Sequence, residues 1–236
     1  MPSPDARLLY WSFLGRLPYE EADELQIRLR DRVRQSRGQD CLLLLEHPHV
    51  FTLGRNADRG DILVDDEWLS SKETRVFASD RGGRVTYHGP GQLVGYPILD
   101  LSPDRRDLRR YVRDLQDVLV RVLGDLGVAA EPRYQTEEIG VWVGDRKIAS
   151  IGVHVSRWVT THGFALNLAT DLSYFAGIIP CGLQGVKMTS VEALTGRQPS
   201  LEEASDRVAE HLCQVFERQS RRLEPSRISD PWPITF

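Results

Sequence analysis

CLLLLEH, residues 41–47, decides how the rest of the chain is read. It is a short continuous apolar run, too short for a typical helix and without the alternation of a half-exposed strand. A run of that length predicts a strand buried on both faces, which requires apolar layers above and below it. HVFTLG (49–54) follows at once, and Pro48 between them interrupts the ladder. Further β-like pieces come in a series: TRVFAS, RVTYH and LVGYPILDL, then GVWVG, KIASIGVHVS and WVTTHGFALNLA. VGDRK reads as the turn joining two of them, because Gly-Asp tolerates positive φ.

Covering layers are present. Leu108, Tyr111, Val112, Leu115, Val118, Leu119, Val122 and Leu126 form one apolar stripe over 107–126, with Gly127 placed as a C-terminal cap. A second helix is predicted over 19–36 and a third over 201–218, the last opened by Ser200 and Glu203 as a capping box. Strands arrive in runs rather than in βαβ alternation, so the expected class is α+β with antiparallel or mixed sheets. Residues 1–220 read as a single catalytic domain, and 221–236, with Pro225, Pro231 and Pro233, as an irregular tail.

Composition narrows the function. The 236 residues carry a net charge of −4, with 41% hydrophobic and 27% charged residues. No basic excess marks a nucleic-acid partner. No run of about 18 apolar residues marks a membrane span, and the N-terminus lacks the pattern of a secretory signal. The three cysteines, Cys41, Cys181 and Cys213, form no C-x-x-C, which argues against a disulfide framework or a cysteine zinc site. The cytoplasm is the expected compartment. EHPHV (46–50) reads as a turn rather than a metal site, and neither a metal nor a cofactor is expected.

Two stretches carry chemistry. RGGRVTYHGPGQLVGY (81–96) interleaves glycines with Arg, Tyr and His. It lacks G-x-G-x-x-G and the G-K-S/T of a phosphate loop, so it reads as a ligand-lining loop. GIIPCGL (177–183) sets Cys181 between Pro180 and Gly182, a setting for a nucleophile with a backbone N–H donor beside it. Cys41 in an apolar strand and Cys213 in an amphipathic helix read as structural. A thiol with an ordinary pKa near ~8.5 needs a nearby cation. His88, His154, His162 and Lys147 are all available, and spacing does not choose among them. Arg105, Arg106, Arg109, Arg110 and Arg113 cluster ahead of and within the 107–126 helix. They read as a solvated face that an acidic partner would also suit.

RGGRVTYHGPGQLVGYPILDL, KIASIGVHVS, THGFALNL and IIPCGL, preceded by LLLLEHPHVFTLGR, resemble the signature blocks of the octanoyl-[acyl-carrier-protein]:protein N-octanoyltransferase family, also called lipoate–protein ligase B. The blocks run in family order from about 41 to 195. The resemblance implies a biotin/lipoate protein ligase-like fold, with a larger mixed sheet, a smaller sheet and flanking helices. It implies acyl transfer from octanoyl-acyl carrier protein to a lysine of lipoyl domains, in 2-oxoacid dehydrogenases and the glycine cleavage H protein. Cys181 would form the acyl-thioester and Lys147 would lower the thiol pKa. The acyl pocket would be lined by Arg81, Gly82, Gly83, Arg84, Val85, Thr86, Tyr87 and His88, by Ser150, Ile151 and Gly152, and by Gly163, Phe164 and Ala165. The nearest alternative is an ATP-dependent ligase on the same fold, which needs no nucleophilic cysteine.

Overall fold

A computed structural model of the chain describes residues 7–35, 39–102, 104–136, 138–179 and 186–228. The apolar run is strand β2, Gln39–Glu46. Its pleat divides the leucines. Cys41, Leu43 and Leu45 face one side, where Ala22, Leu25, Leu29 and Val33 of helix α1 (Tyr19–Gln35) cover them. Leu42 and Leu44 face the other and pack in the cluster of helices α3 (Leu108–Asp125) and α5 (Leu201–Phe216). The strand is therefore buried on both faces as the run predicts, and the domain has three layers.

The larger sheet is mixed. Its order is β12 (Gln219–Arg222), β1 (Leu8–Arg16), β2, β6 (Gln92–Ile98), β10 (Val159–Asn167), β9 (Arg146–Ser156), β8 (Gly140–Val143) and β7 (Glu131–Arg133). Strand β11 (Lys187–Met188) also pairs with β9, in parallel. The smaller sheet has the order β4 (Arg75–Ala78), β3 (Val50–Leu53), β5 (Val85–His88). Pro48 thus lies where the chain leaves one sheet for the other. Two short α-helices, α2 (Asp66–Ser71) and α4 (Val191–Thr195), lie in the connections, with 3-10 turns at Arg59–Asp61, Leu172–Gly177 and Pro225–Arg227. No helix among the described residues is long and apolar enough to cross a membrane.

Local chemistry explains the helix ends. The Asp107 carboxylate accepts the backbone N–H groups of Arg109 and Arg110, at 2.9 and 3.1 Å. Ser200 Oγ accepts from the Glu203 N–H at 3.4 Å, but the Glu203 carboxylate turns to Arg207 at 2.8 Å, so only half of the expected capping box forms. The C-terminal part differs from expectation too. Strand β12 runs to Arg222, past residue 221, and its parallel pairing with β1 continues in a bond from Leu223 N–H to Trp11 O at 2.8 Å. Ile228 is buried beside α1 and β1. Edge pairing and one apolar anchor thus order residues that composition alone marked as irregular.

The arginine cluster divides. Arg105 is buried, with Nη1 2.5 Å from Asp114 Oδ2 and Nη2 donating to Val215 O at 2.8 Å. It locks α3 to the end of α5 and is not a docking residue. Arg106, Arg109, Arg110 and Arg113 are exposed.

Candidate active site

A cleft of about 520 Å³, its open mouth included, lies between the two sheets. Strand β9 supplies Lys147, Ser150, Ile151 and Gly152, and β10 supplies His162, Gly163, Phe164 and Ala165. The loop before β5 and the strand itself supply Arg81, Gly83, Arg84, Val85, Thr86 and His88. Three segments far apart in sequence therefore meet at one place. Gly82 and Tyr87 do not line this cleft. Gly82 N–H donates to Val153 O at 2.9 Å and pins the loop onto β9. Tyr87 lies on the other face of β5, fully buried, stacked on Tyr174 at 4.9 Å and bonded to His49 Nδ1 at 2.9 Å. Strand alternation sends it there.

Lys147 is 1% exposed. Its position depends on an irregularity. Val141 of β8 pairs with Ala149, whereas Trp142 pairs with Lys147, so Ile148 is an extra residue. In a regular strand Lys147 would share a face with Ala149, which packs in the α3 cluster. The extra residue turns it onto the face of Ser150, and both line the cleft. The Trp142 ring centroid lies 5.6 Å from Nζ, a favourable seat for an ammonium.

Cys181 lies outside the described residues, as do Pro180 and Gly182. The flanks are described. Ile178 bridges Ile62, Ile179 N–H donates to Asp61 O at 2.8 Å, and Met188 pairs with Lys147. Cys41 and Cys213 are buried free thiols. Burial pushes the Cys41 thiol up and that of Cys213 up to about 11, so neither forms thiolate near neutral pH.

The histidines are already engaged. Burial holds His88 well below its ordinary range, so at neutral pH it carries no charge to lend a thiol. Its Nδ1 meets Gln92 Oε1 at 2.8 Å. His162, at φ 55° within β10, has Nε2 2.5 Å from Asp80 Oδ1, while its backbone N–H donates to Gln26 Oε1 at 2.6 Å. The second Asp80 oxygen lies 2.8 Å from His154 Nδ1. The His162 hydrogen bond is the main cause holding the Asp80 carboxyl below its ordinary range. Arg81 is a scaffold as well as a wall. Nη2 donates to Thr52 O at 2.6 Å and to Thr52 Oγ1 at 2.8 Å, and Nη1 to Gly82 O at 3.1 Å.

Sequence reasoning missed two cleft residues, Tyr19 and Tyr96. Tyr19 opens α1, and its hydroxyl donates to Ser79 Oγ at 2.8 Å. Burial lifts its pKa to about 12, so it stays a neutral, largely apolar wall. An aromatic at a helix start and another inside an apolar strand look like core, and no local signal separates them from it.

The model of the lipoyl protein ligase A/B catalytic domain matches residues 18–213. An octanoyltransferase of Solibacter usitatus is 52% identical over 206 residues, covering 86% of this chain and 91% of that protein. An octanoyltransferase of Caldicellulosiruptor bescii is 43% identical, covering 92% and 96%. Among solved structures, a bi-partite lipoate protein ligase of Thermoplasma acidophilum, studied with its E2 lipoyl domain, superposes with a TM-score of 0.73 at 16% identity, covering 94% of this chain and 91% of that one. At that identity the likeness shows the fold alone. On the family match and the identity to its relatives, the chain belongs to the lipoyl protein ligase A/B catalytic-domain family as one of its octanoyltransferases.

Proposed function

We propose that this acyltransferase takes its octanoyl group from acyl carrier protein and passes it to a lipoyl-domain lysine through a thioester on Cys181. The observation that carries the reading is a lysine turned by a β-bulge into an apolar cleft, with its strand paired to the one that follows Cys181 in the chain. Seven peptide steps separate Cys181 from Met188, so connectivity keeps the Cys181 Cα within roughly 25 Å of Met188, the residue paired with Lys147.

The chemistry runs in two balanced displacements. The Cys181 thiolate attacks the donor thioester carbonyl, and the carrier's thiol leaves with the proton. The neutral ε-amine of the acceptor lysine then attacks the acyl-enzyme, forming an amide and releasing the thiolate, while the amine's surplus proton passes to a base. Lys147 as an ammonium favours the thiolate in the first step; after lending a proton to the departing carrier thiol it is the base of the second. Thioester exchange is nearly balanced and amide formation runs downhill, so no nucleotide is consumed. The cleft walls at Tyr19, Ile151 and Phe164 cover the acyl chain, whose burial contributes roughly 5 kcal/mol at ~0.8 kcal/mol per CH₂. Arg106, Arg109, Arg110 and Arg113 offer a basic face to an acidic carrier protein. Free buried thiols at Cys41 and Cys213 suit a reducing cytoplasm.

The test is intact mass after mixing the protein with octanoyl-acyl carrier protein without ATP. A gain of one octanoyl group, removed by hydroxylamine and absent in Cys181→Ser, is expected. No adduct without ATP, and an acyl-adenylate once ATP is added, would replace this reading with that of a ligase.

A further inference from the structure

We infer that Gly140 and Gln116 are positioning residues for Lys147, an inference that deepens the proposed role of that lysine and rests on it. Gly140 opens β8 directly opposite Ser150. A Cβ at Gly140 would lie 2.5 Å from Lys147 Cε and 3.2 Å from Nζ, and also 2.5 Å from the backbone oxygen of Ala149. The lysine stem occupies the space that any other residue would claim. The backbone at Gly140 also has φ 153°, a conformation that side chains other than hydrogen resist. Trp142 stands over Nζ at 5.6 Å, with its indole N–H fixed to Glu138 O at 2.8 Å. Gly140 and Trp142 together leave the ammonium a narrow seat.

Gln116 holds that seat in place. It is buried in α3, and its Nε2 donates both to Gly140 O at 2.9 Å and to Arg133 O at 2.8 Å. One carboxamide thus ties the helix to β7 and β8 at the residue that touches the lysine. Its Oε1 has no hydrogen-bond partner among the described residues, so the side chain is kept for its two donors.

Adding a methyl at Gly140 forces the lysine to move. The same methyl overlaps Ala149 O, so β8 and β9 must part slightly at this point, and the flexible lysine stem must yield as well. A displacement near 1 Å at a reacting group costs about 100-fold in rate.

The experiment compares Gly140→Ala and Gln116→Leu with the natural protein and with Gly124→Ala, a helix position where an added Cβ meets nothing within 4 Å. Two quantities are read: the rate at which Lys147 is reductively methylated, by peptide mass spectrometry, and the rate of Cys181 acylation by octanoyl-acyl carrier protein across pH 6–9. In Gly140→Ala, Lys147 labels at least about tenfold faster, as expected for an amine that has lost its shelter. Acylation kcat falls about 100-fold with little change in donor KM, and Gly124→Ala matches the natural protein in both. Unchanged Lys147 labelling in a folded Gly140→Ala protein overturns the inference. Faster labelling with unchanged acylation keeps the seat and removes Lys147 from the mechanism, which separates the two failures. If Gly140→Ala does not fold, Gln116→Leu decides: it adds nothing beside the lysine, yet should raise its labelling.

Discussion

His47 makes the domain's stability depend on pH in a way that can be worked out from its contacts. The ring is fully buried beneath the cleft, 5.4 Å from Tyr19 and 5.6 Å from His88 between ring centroids. Nδ1 lies 2.7 Å from Leu17 O, and a carbonyl only accepts, so Nδ1 carries the proton. Nε2, 2.8 Å from the Tyr96 hydroxyl, then accepts from it. A neutral imidazole satisfies both bonds, and burial lowers its pKa from 6.5 to about 4. The unfolded chain takes up a proton near pH 6.5 that the folded chain refuses until about pH 4. Stability is therefore intact above 6.5 and is lost as pH falls from 6.5 towards 4. By pH 5 the loss from this residue is about 2 kcal/mol, or about 4–8 °C in Tm for a chain of this size. His88, lowered by the same cause, adds to it in the same direction. Urea unfolding at pH 7.5 and 5.0 measures the effect, with His47→Gln as reference, because a carboxamide reproduces the neutral ring's one donor and one acceptor without titrating. The stability difference between the two proteins should shift by about 2 kcal/mol in favour of the variant at pH 5. Parallel losses in both proteins would refute the assignment to His47.

Three further outcomes are expected. A Cβ at Gly152 would sit 2.9 Å from Gly82 O and 3.2 Å from Arg81 Cδ, so Gly152→Ala should cost about 1–3 kcal/mol by calorimetry and raise the donor KM more than it lowers kcat, because it pushes out a cleft wall. Asp40, fully buried, accepts from Arg7 Nη2 at 3.0 Å and Arg218 Nε at 2.8 Å; Asp40→Ala should cost about 3 kcal/mol in urea unfolding, since it removes the buried carboxylate the two guanidiniums share and leaves them Asp104 at 3.6 and 3.4 Å. Reversing Arg109 and Arg110 to Glu should raise donor KM and flatten its salt dependence with Tm kept within about 2 °C, whereas Arg105→Ala should lower Tm; equal effects from both would merge surface and core arginines again.

Much of the fold was legible because burial leaves a period in the sequence. The 41–47 run announced two covering layers, and the stripe from Leu108 to Leu126 supplied one of them. β1 was not read in advance: LLYWSFLGR mixes serine and glycine into its apolar run, and Ser12 is nevertheless fully buried at its centre. β12 was missed because QSRR has no apolar pattern at all; it exists through backbone pairing with β1. In the cleft, the glycine loop stood out through glycine beside His, Tyr and Arg, and β10 through Gly163 beside His162 within an apolar strand, whereas Ser150, Ile151 and Gly152 of β9 came only from the family resemblance. Tyr19 and Tyr96 did not stand out, since a wall for an apolar ligand has the composition of a core. Spacing left four cations open as partners for a thiol. Only the fold shows that the three histidines are neutralised by burial or held by Asp80, Gln92 and Arg55.

The extra residue at Ile148 makes the length of one strand as consequential as its composition. Substitutions along β9 change what a position is made of, but losing one residue between Lys147 and Ala149 would change which side of the sheet the lysine inhabits. The amine would be delivered into the layer under α3, among Leu115, Leu119 and Val141, where no substrate reaches and a cation is poorly tolerated. Among related chains this predicts a signature that no identity score captures: loops around the domain free to grow and shrink, and a strictly held residue count between the β8 turn at Gly144 and the glycine at 152.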